Sequence, residues 1–213
     1  MGKMQLNSTI NYYNNQANSL SKRYESADIS LLQKLLLETF PKNSNLMEIG
    51  CGSGRDAAFM LKNGYHVLGL DASKNMIYEA KKLHPELKEI LKISIVPEDL
   101  DFKESNFDGI YSIATLMHLK ETDIDKTIAK TYRLLKNNGR LLFSVPVNRS
   151  GLNQDHIDEK GRLFTILDQD KWIDICKSKG FKILKTEISD DGLKRDNIKW
   201  LTCIMEKHIG SDE

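Results

Sequence analysis

The chain has 213 residues, 40% hydrophobic and 29% charged, which is one ordinary globular domain with apolar material for a sizeable core. Its 31 basic and 30 acidic side chains leave a formal charge of +1, so there is no global electrostatic reason to expect nucleic acid, an anionic membrane or a strongly charged partner. Cys51, Cys176 and Cys203 are odd in number, scattered and without a CxxC pair, the N-terminus lacks a signal peptide's apolar core, and no run approaches the roughly 20 apolar residues of a membrane span; the expectation is a reduced, soluble, cytoplasmic protein without a metal site.

Residues 8–27 are polar but carry Tyr12, Tyr13, Leu20 and Tyr24, too much aromatic content for a disordered tail, and are expected to fold over something. Asp28 is positioned to cap a helix whose Leu31, Leu32, Leu35, Leu36 and Phe40 form one face for a sheet, with Pro41 ending it. Next, Asn45 to Ile49 is a short apolar run carrying a single acid, Glu48. It enters Gly50, Gly52 and Gly54 and then turns helical. Alternate glycines let the backbone bend sharply and approach a ligand, and the following helix presents unpartnered N–H groups, so this turn predicts a nucleotide-like ligand.

Ala57, Ala58, Phe59 and Leu61 make a short helix that Asn63-Gly64 closes. The run from Tyr65 ends in Asp71, where a carboxylate at the tip of a second strand can hold a ribose diol. Ser73 caps a helix with Met76, Ile77, Ala80 and Leu83 inward; Leu91, Ile93 and Ile95 alternate as a third strand that Pro97-Glu98-Asp99 breaks. Phe107 to Ala114 reads as a fourth strand. Ile124, Ile128, Tyr132 and Leu135 share one face of the next helix, closed by Asn138-Gly139, and Leu141 to Val147 is a fifth strand.

The alternation predicts an α/β fold, a Rossmann-like doubly wound sheet, mostly parallel, with helices on both faces and ligand at the carboxyl ends of its strands. Beyond a polar loop from Asn148 to Gly161, a helix with Trp172, Ile173 and Cys176 stops at Gly180. Two strand-like runs follow, Phe181 to Ile188 and Ile198 to Met205, joined by Ser189 to Gly192 and a charged stretch with Lys194-Arg195-Asp196, which reads as a solvated turn. They suit an antiparallel C-terminal hairpin. No internal repeat or low-complexity linker is present.

With these motifs in this order, the chain resembles the class I S-adenosylmethionine-dependent methyltransferases over nearly its whole length, and in Gly54-Arg55-Asp56, Tyr13-Asn14-Asn15-Gln16-Ala17 and the run Asp158 to Phe164 it resembles a group of small single-domain bacterial enzymes within them. The resemblance implies one methyltransferase domain over 1–213 with 1–27 as an N-terminal lid or cap. It places the acid of the first motif on Glu48, the glycine motif on Gly50, Gly52 and Gly54, and the ribose-binding acid on Asp71. Asn106 to Ile110 matches the start of the family's fourth strand, and Leu134 to Leu141 its "LLKPGG" turn with Asn in place of Pro. The implied set for S-adenosylmethionine, with S-adenosylhomocysteine as product, is Tyr13, Glu48, Gly50, Cys51, Gly52, Gly54, Asp71, Ala72, Met76, Glu98, Asp99 and Ala114. The adenine acid departs from the family pattern, because its usual place falls on Val96, so either Glu98 or Asp99 is assigned to it.

Gly52-Ser53-Gly54-Arg55-Asp56-Ala57 also satisfies the G-x-G-x-x-A of dinucleotide dehydrogenases, which keeps an NAD-dependent oxidoreductase as a rival. Against it, a pyrophosphate is repelled by Glu48, whereas a sulfonium or ammonium tolerates it. His118, just past the fourth strand, is the candidate catalytic residue, able to orient an acceptor or take its proton, or else to serve as packing. His156 with Asp155 and Asp158 matches no tight ligand spacing and reads as a solvated loop, and Trp172 and Trp200 read as core or hairpin packing. The expected acceptor is a small molecule. Nucleic acid is not indicated, since Ile113-Ala114-Thr115-Leu116 stands where a base-flipping tetrapeptide would follow the fourth strand. A module that binds S-adenosylmethionine without turning it over is the other alternative.

Overall fold

The computed structural model describes residues 2–191 and 198–208. Seven strands form one sheet: β1 (Asn45–Ile49), β2 (His66–Asp71), β3 (Leu91–Ile93), β4 (Phe107–Ile113), β5 (Leu135–Pro146), β6 (Phe181–Asp190) and β7 (Lys199–Lys207). Their order is β3-β2-β1-β4-β5-β7-β6, with β1 to β5 parallel and β7 antiparallel to both β5 and β6. The helices are α1 (Gly2–Glu25), α2 (Ser30–Thr39), α3 (Arg55–Lys62), α4 (Lys74–Leu83), α5 (Glu121–Leu134) and α6 (Gln169–Ser178). The order reverses between β1 and β4, which opens a crevice at their carboxyl ends.

Strand alternation sorts the core onto two faces. Met47, Ile49, Ile110 and Phe143 pack with Ile124 and Ile128 of α5 and Trp172 of α6; Leu46, Tyr111 and Leu142 pack with Leu36 of α2, Met60 of α3 and Ile77 of α4. Apolar residues on both sides of the central strands account for their near-continuous hydrophobicity. Glu48, 2% exposed, shares the second face with Tyr111, its cross-strand partner.

Capping chemistry sets the ends of several helices. The Ser73 hydroxyl accepts from the N–H of Met76, as expected, and Asp168 does the same for Lys171 at the start of α6. Gly64 and Gly180 stand at positive φ after α3 and α6.

Several sequence expectations are corrected. Residues 8–27 belong largely to a 24-residue helix, α1, whose Ala17 and Leu20 bury against Met76 of α4. Helix α2 starts beyond Ile29, and Asp28 accepts from the N–H of Ser30 without being the cap residue; Leu31 is 83% exposed because it lies outside the face that meets the sheet. Leu83 is exposed at the last turn of α4. Ile93 is 59% exposed because β3 is a short strand at the edge of the sheet. Helix α5 ends at Leu134, before Leu135, which is already strand and pairs with Phe107. Asn138-Gly139 therefore lies inside β5, where Asn138 at φ +60° accompanies the register shift between Phe107 and Gly109. The turn read at Lys194-Arg195-Asp196 falls outside the described residues.

Candidate active site

A cavity of about 1050 Å³ opens at the carboxyl ends of β1, β2 and β4, roofed by α1. Its volume suits a nucleotide-sized ligand together with a small second molecule. The cradle is the chain between β1 and α3. Gly50, Gly52 and Gly54 all sit at positive φ, and the N–H groups of Gly50 and Cys51 are both held by the carbonyl of Leu70. At Gly50 an added Cβ would stand 2.0 Å from Thr115 Oγ1, so this glycine lets two loops touch. At Gly52 an added Cβ meets nothing nearer than 3.8 Å, with Met76 and Tyr24 as its first neighbours in ordinary contact, so that glycine lines the cavity without crowding from the protein.

Asp71 ties this cradle to the next turn. Its carboxylate accepts from the N–H of Gly52 at 2.9 Å and from that of Ser73 at 2.8 Å, one bond to each oxygen. A carboxylate has about four acceptor sites, so each oxygen retains one for a ligand hydroxyl. Burial raises the pKa of Asp71 above the usual carboxylate range, against the two N–H bonds that lower it. Glu48 has its own raised well above that range by burial and then by the nearby Asp56 carboxylate; the Tyr111 hydroxyl donates to it at 3.2 Å. Two buried acids on one wall disfavour an anion and favour a cation.

The opposite side centres on His118, in the short 3-10 turn Leu116–His118 after β4 and 7% exposed. Its Nδ1–H donates to the carbonyl of Leu163 at 2.7 Å, which leaves Nε2 as an acceptor for the Tyr13 hydroxyl at 2.9 Å. Burial pushes the imidazole down to about 4, so it is neutral at physiological pH, and burial likewise raises Tyr13. The Phe164 ring lies 4.6 Å from the imidazole, and the Arg149 guanidinium stacks on that ring at 3.8 Å.

The long helix α1 is bolted down at several points. Asn14 Oδ1 accepts from the Ser73 hydroxyl at 2.7 Å, the Ser53 hydroxyl donates to Glu25 at 2.7 Å, and Arg55 Nη1 donates to the carbonyl of Tyr24 at 2.7 Å. The bonds join the helix to the glycine loop, to the start of α3 and to the start of α4.

Of the residues singled out by sequence, Tyr13, Glu48, Gly50, Cys51, Gly52, Asp71, Ala72, Met76, Ala114 and His118 all line this one cavity. Gly54 does not; at φ +81° it lies against Leu87 and Ala80 and shapes the turn from below. Glu98 and Asp99 are exposed and absent from the lining, which at that end consists of Ser94, Ile95 and Val96; the Asp99 carboxylate accepts instead from the N–H of Ile95. Trp172 is core, whereas Trp200 lies on the cavity wall and donates to Asp191. Asp158 is engaged by Arg149 and Arg162, not by His156. Sequence reasoning passed over Arg149 and met Arg162 only within the run Asp158 to Phe164, without giving it a role, because basic residues in a polar loop carry no local signal separating a solvated face from a site.

A methyltransferase-domain family model matches residues 47–143, from β1 through β5 and therefore the whole glycine cradle, Asp71 and His118. The family model, the relatives and the fold together support a class I S-adenosylmethionine-dependent methyltransferase. Among relatives in this family, it is 33% identical over 163 residues to the ubiquinone biosynthesis O-methyltransferase of Pelagibacter ubique, covering 74% of this chain and 62% of that protein. It is 30% identical over 159 residues to the phosphoethanolamine N-methyltransferase of Plasmodium falciparum, covering 70% of this chain and 58% of that one. The chain thus spans about three fifths of the length of these curated relatives. The fold matches the Burkholderia thailandensis 1,6-didemethyltoxoflavin-N1-methyltransferase, solved with 1,6-didemethyltoxoflavin and S-adenosylhomocysteine bound, at a TM-score of 0.77 and 16% identity over 98% of this chain and 91% of that one.

The family's methyl donor fits the residues present. The uncrowded face of Gly52, spare acceptor capacity on Asp71 and a buried carboxylate at Glu48 suit in turn a close-packed ligand backbone, a diol and a positive charge.

Proposed function

We propose that this chain transfers a methyl group from S-adenosylmethionine to a small molecule and releases S-adenosylhomocysteine. The observation that carries this reading is a single cavity joining the glycine cradle and Asp71 to the Tyr13–His118 pair beneath α1. When bound, the donor supplies a methyl group activated by its sulfonium. Asp71 would hold the ribose hydroxyls, Glu48 would face the positively charged end, and Ser94, Ile95 and Val96 would wall the adenine side in preference to Glu98 and Asp99. Helix α1 acts as the lid of a single domain: it excludes water and fixes the reacting groups, which is most of what an in-line methyl displacement asks of a protein.

An acceptor hydroxyl or ammonium must also lose a proton. Neutral His118, with Nε2 toward Tyr13 and its other nitrogen fixed by Leu163, is placed to take one through the Tyr13 hydroxyl, which passes its own proton to Nε2 as it accepts the acceptor's. No helix among the described residues is long and apolar enough to cross a membrane, and the three cysteines are buried and free, which supports a cytoplasmic place.

The test is transfer of labelled methyl from S-adenosylmethionine in a cell extract split into low-mass and macromolecular fractions. Label in a low-mass product is expected. Label confined to macromolecules would contradict the acceptor class, and bound donor with no transfer in either fraction would favour the non-catalytic module.

A further inference from the structure

The cavity has ends of opposite sign. At one end stand the buried acids Glu48 and Asp71; at the other the loop 149–164 contributes Arg149, Lys160 and Arg162 to the lining. The loop's Asp155 and Glu159 are exposed and do not line the cavity, while Asp158 lies behind the two guanidiniums and engages both. On the β6 side, Glu187 and Asp190 are taken up by Lys185 and Lys199, and the buried Asp191, which also lines the cavity, accepts from the Trp200 indole N–H.

The guanidiniums are held in place. Arg162 uses Nε and Nη2 on one Asp158 oxygen, at 3.0 and 2.6 Å, and its plane lies against the Tyr12 ring at 4.8 Å and the Phe164 ring at 5.0 Å. That fork leaves further N–H donors of Arg162 uncommitted to Asp158, and one of them reaches the Tyr13 hydroxyl as a hydrogen-bond donor. Asp158 also accepts from the N–H groups of Lys160 and Arg162, so the loop that carries these cations is preformed. A planar donor array, fixed by stacking and a carboxylate behind it, is the arrangement that recognises a carboxylate or phosphate.

Resting on the methyl-transfer reading above, we infer that the acceptor carries an anionic group, a carboxylate or a phosphate, which docks on Arg162 with Arg149 and Lys160 around it and so turns the acceptor's nucleophile toward Tyr13 and His118. The acid-lined far end disfavours the same group, which favours one orientation of the acceptor.

The test follows the arginine Nε–H resonances of protein saturated with S-adenosylhomocysteine while inorganic phosphate or acetate is added at constant ionic strength. Saturable shifts at Arg162 and Arg149 are expected, with binding weakened about tenfold or more in Arg162→Met and less in Arg162→Lys, as for loss of a charge-assisted bond. Saturation by phosphate alone assigns a phosphate group and by acetate alone a carboxylate. Should Arg162→Met lose its fold, the Arg162→Lys variant and the wild-type titration still decide. Shifts that stay linear in the wild type, or an unchanged affinity in a folded Arg162→Met, would overturn the anion site while leaving the donor site standing. Failure to bind S-adenosylhomocysteine at all would overturn the reading beneath and this inference with it.

Discussion

Replacing Gly52 by alanine separates the turn's shape from its ligand. The residue sits at φ +53°, where a side chain strains the backbone by about 1–2 kcal/mol. Nothing in the protein obstructs the new methyl, whose nearest neighbours are Met76 Cε and the Tyr24 ring at 3.8 Å, an ordinary contact. The fold therefore survives, with a melting temperature lowered by about 2–8 °C for a chain of this size. The methyl does project into space bounded by two residues that line the cavity. If the donor packs against this backbone, overpacking of about 1–3 kcal/mol weakens its binding roughly 5- to 150-fold. Thermal melting with calorimetric titration of S-adenosylhomocysteine reads both numbers on one preparation. A folded Gly52→Ala that binds with wild-type affinity would refute the cradle. Gly50→Ala is the contrast: its Cβ collides with Thr115 at 2.0 Å, so that variant fails by misfolding.

Asp71→Ala removes the acceptor of two buried N–H groups, so it should lose about 2 kcal/mol of stability as well as ligand binding, and a melt unchanged from wild type would deny Asp71 its part in joining the two turns. His118 gives the fold an acid-side sensitivity. Its folded value of about 4 lies below the ordinary 6.5, so its contribution is complete above pH 6.5 and is lost as pH falls from 6.5 toward 4. Urea unfolding at pH 7 and pH 4.5 should show wild type losing about 2 kcal/mol more than His118→Gln; equal losses would count against a neutral buried imidazole. Glu48, raised well above the usual carboxylate range by burial, should ionise when a cation docks beside it, so S-adenosylmethionine should release a proton on binding and bind more weakly as pH falls. Titrations in buffers of different ionisation enthalpy would read this, and identical heats would contradict it.

What was legible in the sequence was chemistry confined to a few neighbouring residues. The glycines of the cradle, the Ser73 cap and the acid ending β2 announce themselves because positive φ, a side-chain cap and a strand-tip carboxylate are each local requirements. Glu48 was legible for the same reason: an acid within a strand buried on both faces needs a purpose. Helix α1 was not, since its polar length has no regular apolar period and gains its burial from α4 and the loops below. The surroundings of His118 were equally hidden, with Tyr13 at 105 and Leu163 at 45 residues' separation. Asn138-Gly139 misled because the same dipeptide that stops a helix also serves a strand irregularity. For Glu98 and Asp99, a shift of a few residues along the turn after β3 decides which side chains meet the cavity, and only the folded chain shows that Ser94 to Val96 do.

Calorimetric titration with S-adenosylmethionine and S-adenosylhomocysteine, run beside NAD, tests the central claim most directly. The account predicts micromolar binding of the first two and none of NAD, as expected for a ligand of this size in a preformed cavity. Binding of NAD alone would contradict it and reduce Glu48 to an incidental strand residue.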